Sequence, residues 1–221
     1  MRFVRSLLAV GAIGALATLA PRAAQAQTDR EFENSWFWGV KGGVMQFWTS
    51  DVNHAPAPLI GLDMLITRRT VGLNISIDQS FFDETGQYPE YDFEGFSLGT
   101  EGRARIQNMR RYQASVMAFP KRFGTLRPYA GVGLGLNVIQ QADVIESDPN
   151  ADAENSVEDV RSRGAVLFTG GVQGQFRRVA LFGQATLMPA KSRFFFTESE
   201  TVFLEFGVRY NIGSSRASAN R

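Results

Sequence analysis

The sequence contains charged and amide side chains that recur at alternate positions in segments otherwise made of apolar or small residues. Carboxylates and cations of this kind form ion pairs, and buried charges require such partners. Two interpretations are open: a path that conducts small solutes, or a closed network of ion pairs and hydrogen bonds. We favour the closed network. The residues are Lys41, Asp63, Asp78, Arg111, Gln113, Glu205 and Arg209.

A hydrolytic site is a further possibility, because His54, the only histidine, lies close to Ser50 and Asp51. Nucleophilic catalysis requires a base that a third group holds against the nucleophile. Proximity along a loop does not provide that geometry. We therefore predict no catalytic residue and a protein that is not an enzyme, and a lipid-modifying barrel enzyme is the less favoured alternative.

The segment from Asp143 to Asp159 holds seven carboxylates and no basic residue. Part of it has the spacing of a calcium-binding loop, but Ala153 replaces the glycine that such a loop needs for its turn. We therefore predict a solvated extracellular loop with no metal and no cofactor. Divalent bridging to lipopolysaccharide phosphates stays open as an alternative.

The elements that position these residues are predicted by the alternation of side-chain types. Val71, Leu73 and Ile75 alternate with Asn74 and Ser76, and such a period of two places the two sets on opposite faces of a strand. No segment of the mature chain has a convincing helical period. The same alternation predicts eight strands, at about 35–49, 59–68, 71–81, 103–119, 128–142, 165–177, 179–188 and 201–212.

The connections between the predicted strands alternate in length. Short turns fall at 69–70, 120–125 and 177–178, whereas longer segments separate the other strands. An up-and-down transmembrane barrel has short turns at the periplasmic end and long loops at the other. The fold class predicted is all-β, an eight-stranded antiparallel up-and-down transmembrane barrel. The long loops are predicted at 50–58, 82–102, 143–164 and 189–199.

Aromatic residues cluster near the predicted strand ends, where they would suit the two interfaces of a bilayer. This placement favours an apolar face outside and a polar face inside. An eight-stranded barrel has room only for its own side chains, which is why a filled interior is favoured over a channel. Gly131, Gly133 and Gly135 are expected to make space for long neighbours. The aromatic residues are Trp36, Phe37, Trp38, Phe47, Trp48, Phe81, Phe82, Tyr129, Phe176, Phe194, Phe195, Phe196 and Tyr210.

Four further aromatic residues make the second long loop unusual, and two interpretations are open for them. They pack over the barrel mouth, or they contact a partner such as another cell surface. The residues are Tyr88, Tyr91, Phe93 and Phe96.

The first 26 residues have the order of features of a secretory signal peptide. Arg2 and Arg5 precede an apolar run at 6–20, and Ala24-Gln25-Ala26 forms a small-residue cleavage site. We predict a signal peptide at 1–26, a barrel at 27–213 and a polar C-terminal tail at 214–221. Without cysteine the chain forms no disulfide, and the 20 basic and 22 acidic residues after position 26 argue against a nucleic-acid partner.

Two segments resemble a known family. The stretch Arg127–Gly135, RPYAGVGLG, is similar to a strand of the outer-membrane β-barrel domain family of OmpA/OmpX-type barrels, and Phe203–Ile212 is similar to a C-terminal assembly signal. The resemblance implies location in the outer membrane, contact with its lipid and lipopolysaccharide, and the barrel assembly machinery as a partner of the last strand. It also implies a structural, adhesive or surface-interaction role, with a narrow channel or carrier as the alternative.

Overall fold

A computed structural model of the protein describes residues 32–49, 55–189, 195–196 and 200–214. The predicted signal peptide, His54, Phe194 and the tail beyond Ser214 lie outside these ranges. No helix in the described ranges has the length and apolar character needed to cross a bilayer.

Eight strands close into one barrel in the order β1 to β8, each pairing antiparallel with its neighbours, which confirms the predicted fold class. One short helix, α1 (Ala153–Val160), precedes β6. The strands are β1 (Ser35–Phe47), β2 (Ala55–Arg68), β3 (Val71–Tyr91), β4 (Ser97–Ala118), β5 (Leu126–Glu146), β6 (Ser162–Phe176), β7 (Val179–Pro189) and β8 (Glu200–Ser214).

The barrel closes where β1 pairs with β8, with Val40 opposite Val208. The predicted short turns are confirmed, and two of them are two-residue hairpins. Arg69 and Arg177 have positive φ values of 49° and 55°, as tight hairpins require. Because β1 begins and β8 ends beside these turns, both ends of the barrel segment lie at the short-turn end of the molecule.

The predicted long loop at 82–102 is wrong. β3 and β4 contain 21 and 22 residues and stay paired far beyond the predicted strand ends, with only a short turn between Tyr91 and Ser97. β5 likewise continues past 142 to Glu146. In the upper parts of these strands the outer face contacts water and can be polar. The alternation of apolar and polar residues that marks the lower parts therefore disappears.

The predicted solvated loop at 143–164 is also partly wrong, because it contains α1. The Asp152 side chain accepts a hydrogen bond from the Asn155 backbone N–H and caps the helix. Val157 and Val160 are buried. Eight residues are too few to produce a clear helical period, which explains why the sequence did not indicate this helix.

Candidate functional site

The outer surface of the barrel carries a broad band of apolar side chains, which we call the apolar belt. Leu134 and Phe206 are 68% and 67% exposed, although each lies in the middle of its strand. A soluble barrel would place such residues inside. Further members of the belt are Val40, Val44, Ile60, Leu62, Leu73, Ile75, Ile77, Val116, Val132, Leu136, Val166, Phe168, Leu181, Leu204 and Val208.

The aromatic residues predicted for the interfaces divide between the two faces. Trp36, Trp38, Phe81, Phe176 and Tyr210 point outward, as expected. The prediction is wrong for another group, which is buried. Within the strands, parity decides the direction of a side chain more strongly than its position near a strand end, whereas Phe195 and Phe196 lie outside the strands and pack into the buried cluster at the long-loop end. The buried residues are Phe37, Phe47, Tyr129, Phe195 and Phe196.

All seven polar residues predicted for the interior are buried in the lumen. Four of them, which we call the four-charge cluster, join four strands. The Lys41 ammonium lies 2.9 Å from Asp78 Oδ1 and 2.8 Å from Glu205 Oε1. Arg111 Nε donates to Asp78 Oδ2 at 2.8 Å, and its Nη2 donates to Glu205 Oε1 at 2.6 Å. Two cations thus face two carboxylates, and the cluster is electrically neutral.

A separate ion pair lies nearer the short-turn end. Arg209 Nε donates to Asp63 Oδ2 at 2.6 Å, and its Nη1 donates to Gln173 Oε1 at 2.9 Å. Asn74 Nδ2 donates to the same carboxylate at 3.0 Å, and Gln113 Nε2 donates to Asn74 Oδ1 at 3.4 Å. The six charged residues of the two groups balance as three cations and three anions.

Neutral residues that the sequence analysis did not select complete this network. Gln184 Nε2 donates to Glu205 Oε2 at 2.8 Å, and Tyr129 OH donates to Gln184 Oε1 at 2.9 Å. The Arg111 guanidinium lies 3.6 Å from the centre of the Phe203 ring, and that of Arg209 lies 3.7 Å from the centre of the Phe182 ring. Strand parity relative to Glu205 and Gln184 places both rings inside, and this was the signal that could have found them.

Apolar side chains fill the lumen on both sides of the network. At the short-turn end Phe119 packs against Phe32 and Tyr129, with ring centres 4.9 and 5.4 Å apart. At the long-loop end Phe47 packs against Phe82 and Phe196, with ring centres 4.8 and 4.5 Å apart. The polar network therefore lies between two apolar end clusters.

Two of the three interior glycines, Gly131 and Gly135, make room for long side chains as predicted, whereas Gly133 lies against Ser115 and the backbone of β4. A Cβ at Gly135 would lie 3.0 Å from Met188 Cε, and one at Gly131 would lie 3.1 Å from Met117 Cγ. Both distances are shorter than ordinary carbon contacts.

Beyond the apolar belt, the upper parts of β3, β4 and β5 and the helix α1 form a projection that we call the extension (83–107, 139–161). Arg105 Nε donates to Asp83 Oδ1 at 2.6 Å, and this hydrogen bond holds the pKa of Asp83 below its ordinary value. Tyr88 is buried beside Phe195, and burial raises the pKa of its phenol.

The turn at the tip of the extension is closed by two backbone hydrogen bonds, from Asp92 N–H to the Phe96 carbonyl and from Gly95 N–H to the Asp92 carbonyl, and by the Asp92 side chain. Asp92 Oδ1 accepts hydrogen bonds from the backbone N–H groups of Glu94 and Phe96 at 2.9 and 2.8 Å. Phe93 and Phe96 are nevertheless 77% and 67% exposed. The aromatic segment is therefore divided: Tyr88 packs into the buried cluster beside Phe195, whereas Phe93 and Phe96 are exposed at the tip.

The structure describes the whole acidic segment from Asp143 to Asp159. No group of three or more histidine, aspartate or glutamate side chains there is arranged to hold a metal ion.

No family model matches the sequence, and no curated protein matches it. Among solved structures, Neisserial surface protein A is similar with a TM-score of 0.55 and 11% identity, covering 80% of this chain and 97% of that chain. The attachment invasion locus protein of Yersinia pestis has a TM-score of 0.49 and 10% identity, covering 81% and 99%. The first similarity supports the fold, a closed barrel of the kind found in bacterial outer membranes.

Proposed function

We propose that this chain is a non-enzymatic integral protein of the bacterial outer membrane, reached by export across the inner membrane. Its barrel serves as a closed anchor, and its extension serves as a surface for interaction or adhesion outside the cell. The observation that carries this proposal is the inverted arrangement of the barrel: an apolar belt outside, and a neutral charge network between two apolar end clusters inside.

The filled lumen argues against transport of solutes. A solute crossing it would have to separate pairs such as Arg111–Glu205 and Arg209–Asp63, which lie at 2.6 Å. Removing one partner from a buried ion pair costs about 3–5 kcal/mol. It would also have to displace the packed rings at both ends of the lumen.

The extension supports the interaction role. Asp83 to Tyr91 alone spans about 30 Å at the rise per residue of an extended strand. The extension ends in an ordered turn that exposes Phe93 and Phe96. Ordered, exposed aromatic residues lose little conformational entropy on binding and are frequent centres of protein interfaces.

The lipid contacts of the barrel follow from its outer surface. Arg110 is exposed just above the belt and donates to Gln79 Oε1 at 3.1 Å, which leaves its remaining donors directed outward. Guanidinium groups bind phosphate oxygens well, so we propose that Arg110 contacts lipopolysaccharide phosphates. We also propose that the barrel assembly machinery acts through β8, the strand that closes on β1.

Three measurements on the mature protein test this function. A folded membrane barrel should migrate differently on mild-detergent gels before and after boiling, and should give a β-type far-ultraviolet circular dichroism spectrum in detergent. In planar bilayers it should give no steady single-channel steps. Free solubility without detergent would contradict the membrane location, whereas reproducible conductance steps would favour the narrow channel or carrier instead.

A further inference from the structure

On one side, β5 extends beyond the end of its neighbour β6. Its pairing with β6 ends at Val138 opposite Ser162, whereas its pairing with β4 continues to Glu146 opposite Arg103. Ile139 is the first residue of β5 beyond this pairing. Its N–H donates to the carbonyl of Arg161, the residue that follows α1, at 2.8 Å. From 141 to 146, within the described ranges, no strand pairs with this edge of β5.

A cleft of about 600 Å³ lies beside this free edge, between β5 and α1. Ala142 and Val144 contribute from the strand, and Val157 contributes from the helix. Glu154 and Glu158 line the same cleft and are exposed. Their spacing of four residues places them on one face of α1. The cleft therefore has an apolar base and an acidic helical wall.

An unpaired strand edge beside a helix is a known arrangement for binding an extended peptide. The peptide adds a strand to the sheet, its backbone supplies most of the hydrogen bonds, and the adjacent groove selects its side chains. The six residues from 141 to 146 could pair with about 20 Å of extended chain. Ile145 lies outside the cleft lining and exposes a further apolar side chain, 57% accessible, beside the last residues of this edge.

The charges around the cleft select among possible occupants. Asp143 on β5 adds to the two glutamates of α1, and Arg161, paired with Glu158 at 2.7 Å, is the one cation of the cleft lining. Glu146, beyond the lining, is paired with Arg103 at 3.9 Å. A second copy of this chain would bring the same carboxylates against them, so self-pairing is disfavoured. A peptide with basic side chains is complementary.

We propose that the cleft between β5 and α1 binds an extended segment of a partner protein, with alternating basic and apolar residues, as an added strand. This inference rests on the proposed function as a surface-interaction protein, because the cleft lies in the extension.

The experiment uses the full mature protein refolded in a zwitterionic detergent and a fluorescent heptapeptide, Lys-Val-Lys-Val-Lys-Val-Lys. Two further peptides carry N-methyl groups on all valines or on all lysines, so that charge is unchanged. In an added strand only alternate N–H groups face the edge. We expect saturable binding by fluorescence anisotropy, with one methylated peptide about tenfold weaker and the other close to the parent.

Variants of the protein test the same site. Glu154→Lys with Glu158→Lys should weaken binding of the parent peptide about tenfold, whereas Glu101→Lys, an exposed change on β4 outside the cleft lining, should leave it unchanged. Heat-modifiable migration of each preparation reports the barrel independently, so a failed cleft is distinguishable from a failed membrane assignment.

Three results would overturn the proposal. Equal binding of all three peptides would show charge attraction without strand addition. Absence of saturable binding to a folded barrel would show that the edge takes no such peptide. Self-association in sedimentation experiments that Ile145→Lys abolishes would identify a second copy as the occupant.

Discussion

Arg111 has a central position among the buried residues, because it contacts two carboxylates and an aromatic ring at once. It is fully buried, and its two anionic partners come from β3 and β8. The adjacent Arg110 belongs to the opposite face of β4 and is exposed. Two neighbouring arginines therefore experience very different surroundings, which makes them a matched pair for experiment.

We predict that Arg111→Met destabilises the protein by about 3–5 kcal/mol, because Asp78 and Glu205 lose a buried cation. Arg110→Met should change stability by less than about 0.5 kcal/mol. Urea unfolding in lipid vesicles, followed by tryptophan fluorescence, measures both. Equal effects of the two substitutions would contradict the network described for the lumen.

Two glycines, Gly133 on the inner face of β5 and Gly170 on the outer face of β6, offer a second test at this scale. A Cβ at Gly133 would lie 2.6 Å from the Ser115 Cα, whereas one at Gly170 would meet nothing within 4 Å. Gly133→Ala should therefore cost about 1–3 kcal/mol through overpacking, and Gly170→Ala should be neutral or slightly stabilising. The same unfolding assay applies, and a larger loss at Gly170 would show that the packing is misassigned.

The candidate site was predictable at this scale as a set of residues but not as a set of contacts. Parity within each strand identified all seven interior residues. Which charge meets which depends on the register and tilt around the closed barrel, as in the pairing of Lys41 with Glu205, 164 positions apart. Sequence alternation carries no information on that stagger.

At the scale of elements, the belt and the extension were predictable to different degrees. Lower β3 alternates strictly, because one face meets an apolar environment and the other meets the lumen. Above Ser80 the register shifts at a bulge, and the outer face carries Asp83, Thr85 and Gln87 in place of apolar residues. The sequence therefore predicts a loop for this part of the strand. The helix α1 was missed because it is short and acidic.

The turn at 92–96 should depend on Asp92. We expect Asp92→Ala to remove two hydrogen bonds worth about 1 kcal/mol each, so the amides of Glu94 and Phe96 should exchange with solvent at least about fivefold faster. Hydrogen exchange measured by mass spectrometry on the detergent-solubilised protein tests this. Glu94→Ala is the control, and unchanged protection in the aspartate variant would show that the strands alone order the turn.

At the scale of the whole molecule, the apolar belt determines the solvent that the barrel requires. Its members lie on all eight strands and continue around the closed sheet. Leu134 lies midway along the belt on β5, and Val144, on the same strand, lies in the extension. The same substitution at these two positions therefore compares a site that faces lipid with a site outside the membrane on one strand.

We predict that Leu134→Arg costs about 2–4 kcal/mol in vesicles, the range for a cation at the bilayer midplane. Val144→Arg should cost less than about 1 kcal/mol, because Val144 is 41% exposed at the cleft of the extension, where an arginine side chain can reach water. The free energies of unfolding of both variants, measured at equilibrium in the same lipid, test this prediction. If Leu134→Arg is tolerated as well as Val144→Arg, the belt does not face lipid.

The lumen network also bears on how the molecule reaches its final state. Glu205 and Arg209 both belong to β8, the last strand to be synthesised, and their partners Lys41, Asp63 and Arg111 belong to earlier strands. Until β8 arrives, Lys41 and Arg111 share the single carboxylate of Asp78, and Asp63 lacks the cation of Arg209. An open intermediate therefore carries an electrostatic penalty, which is removed when β8 pairs with β1. The charges of the lumen thus favour the closed barrel over partly assembled forms.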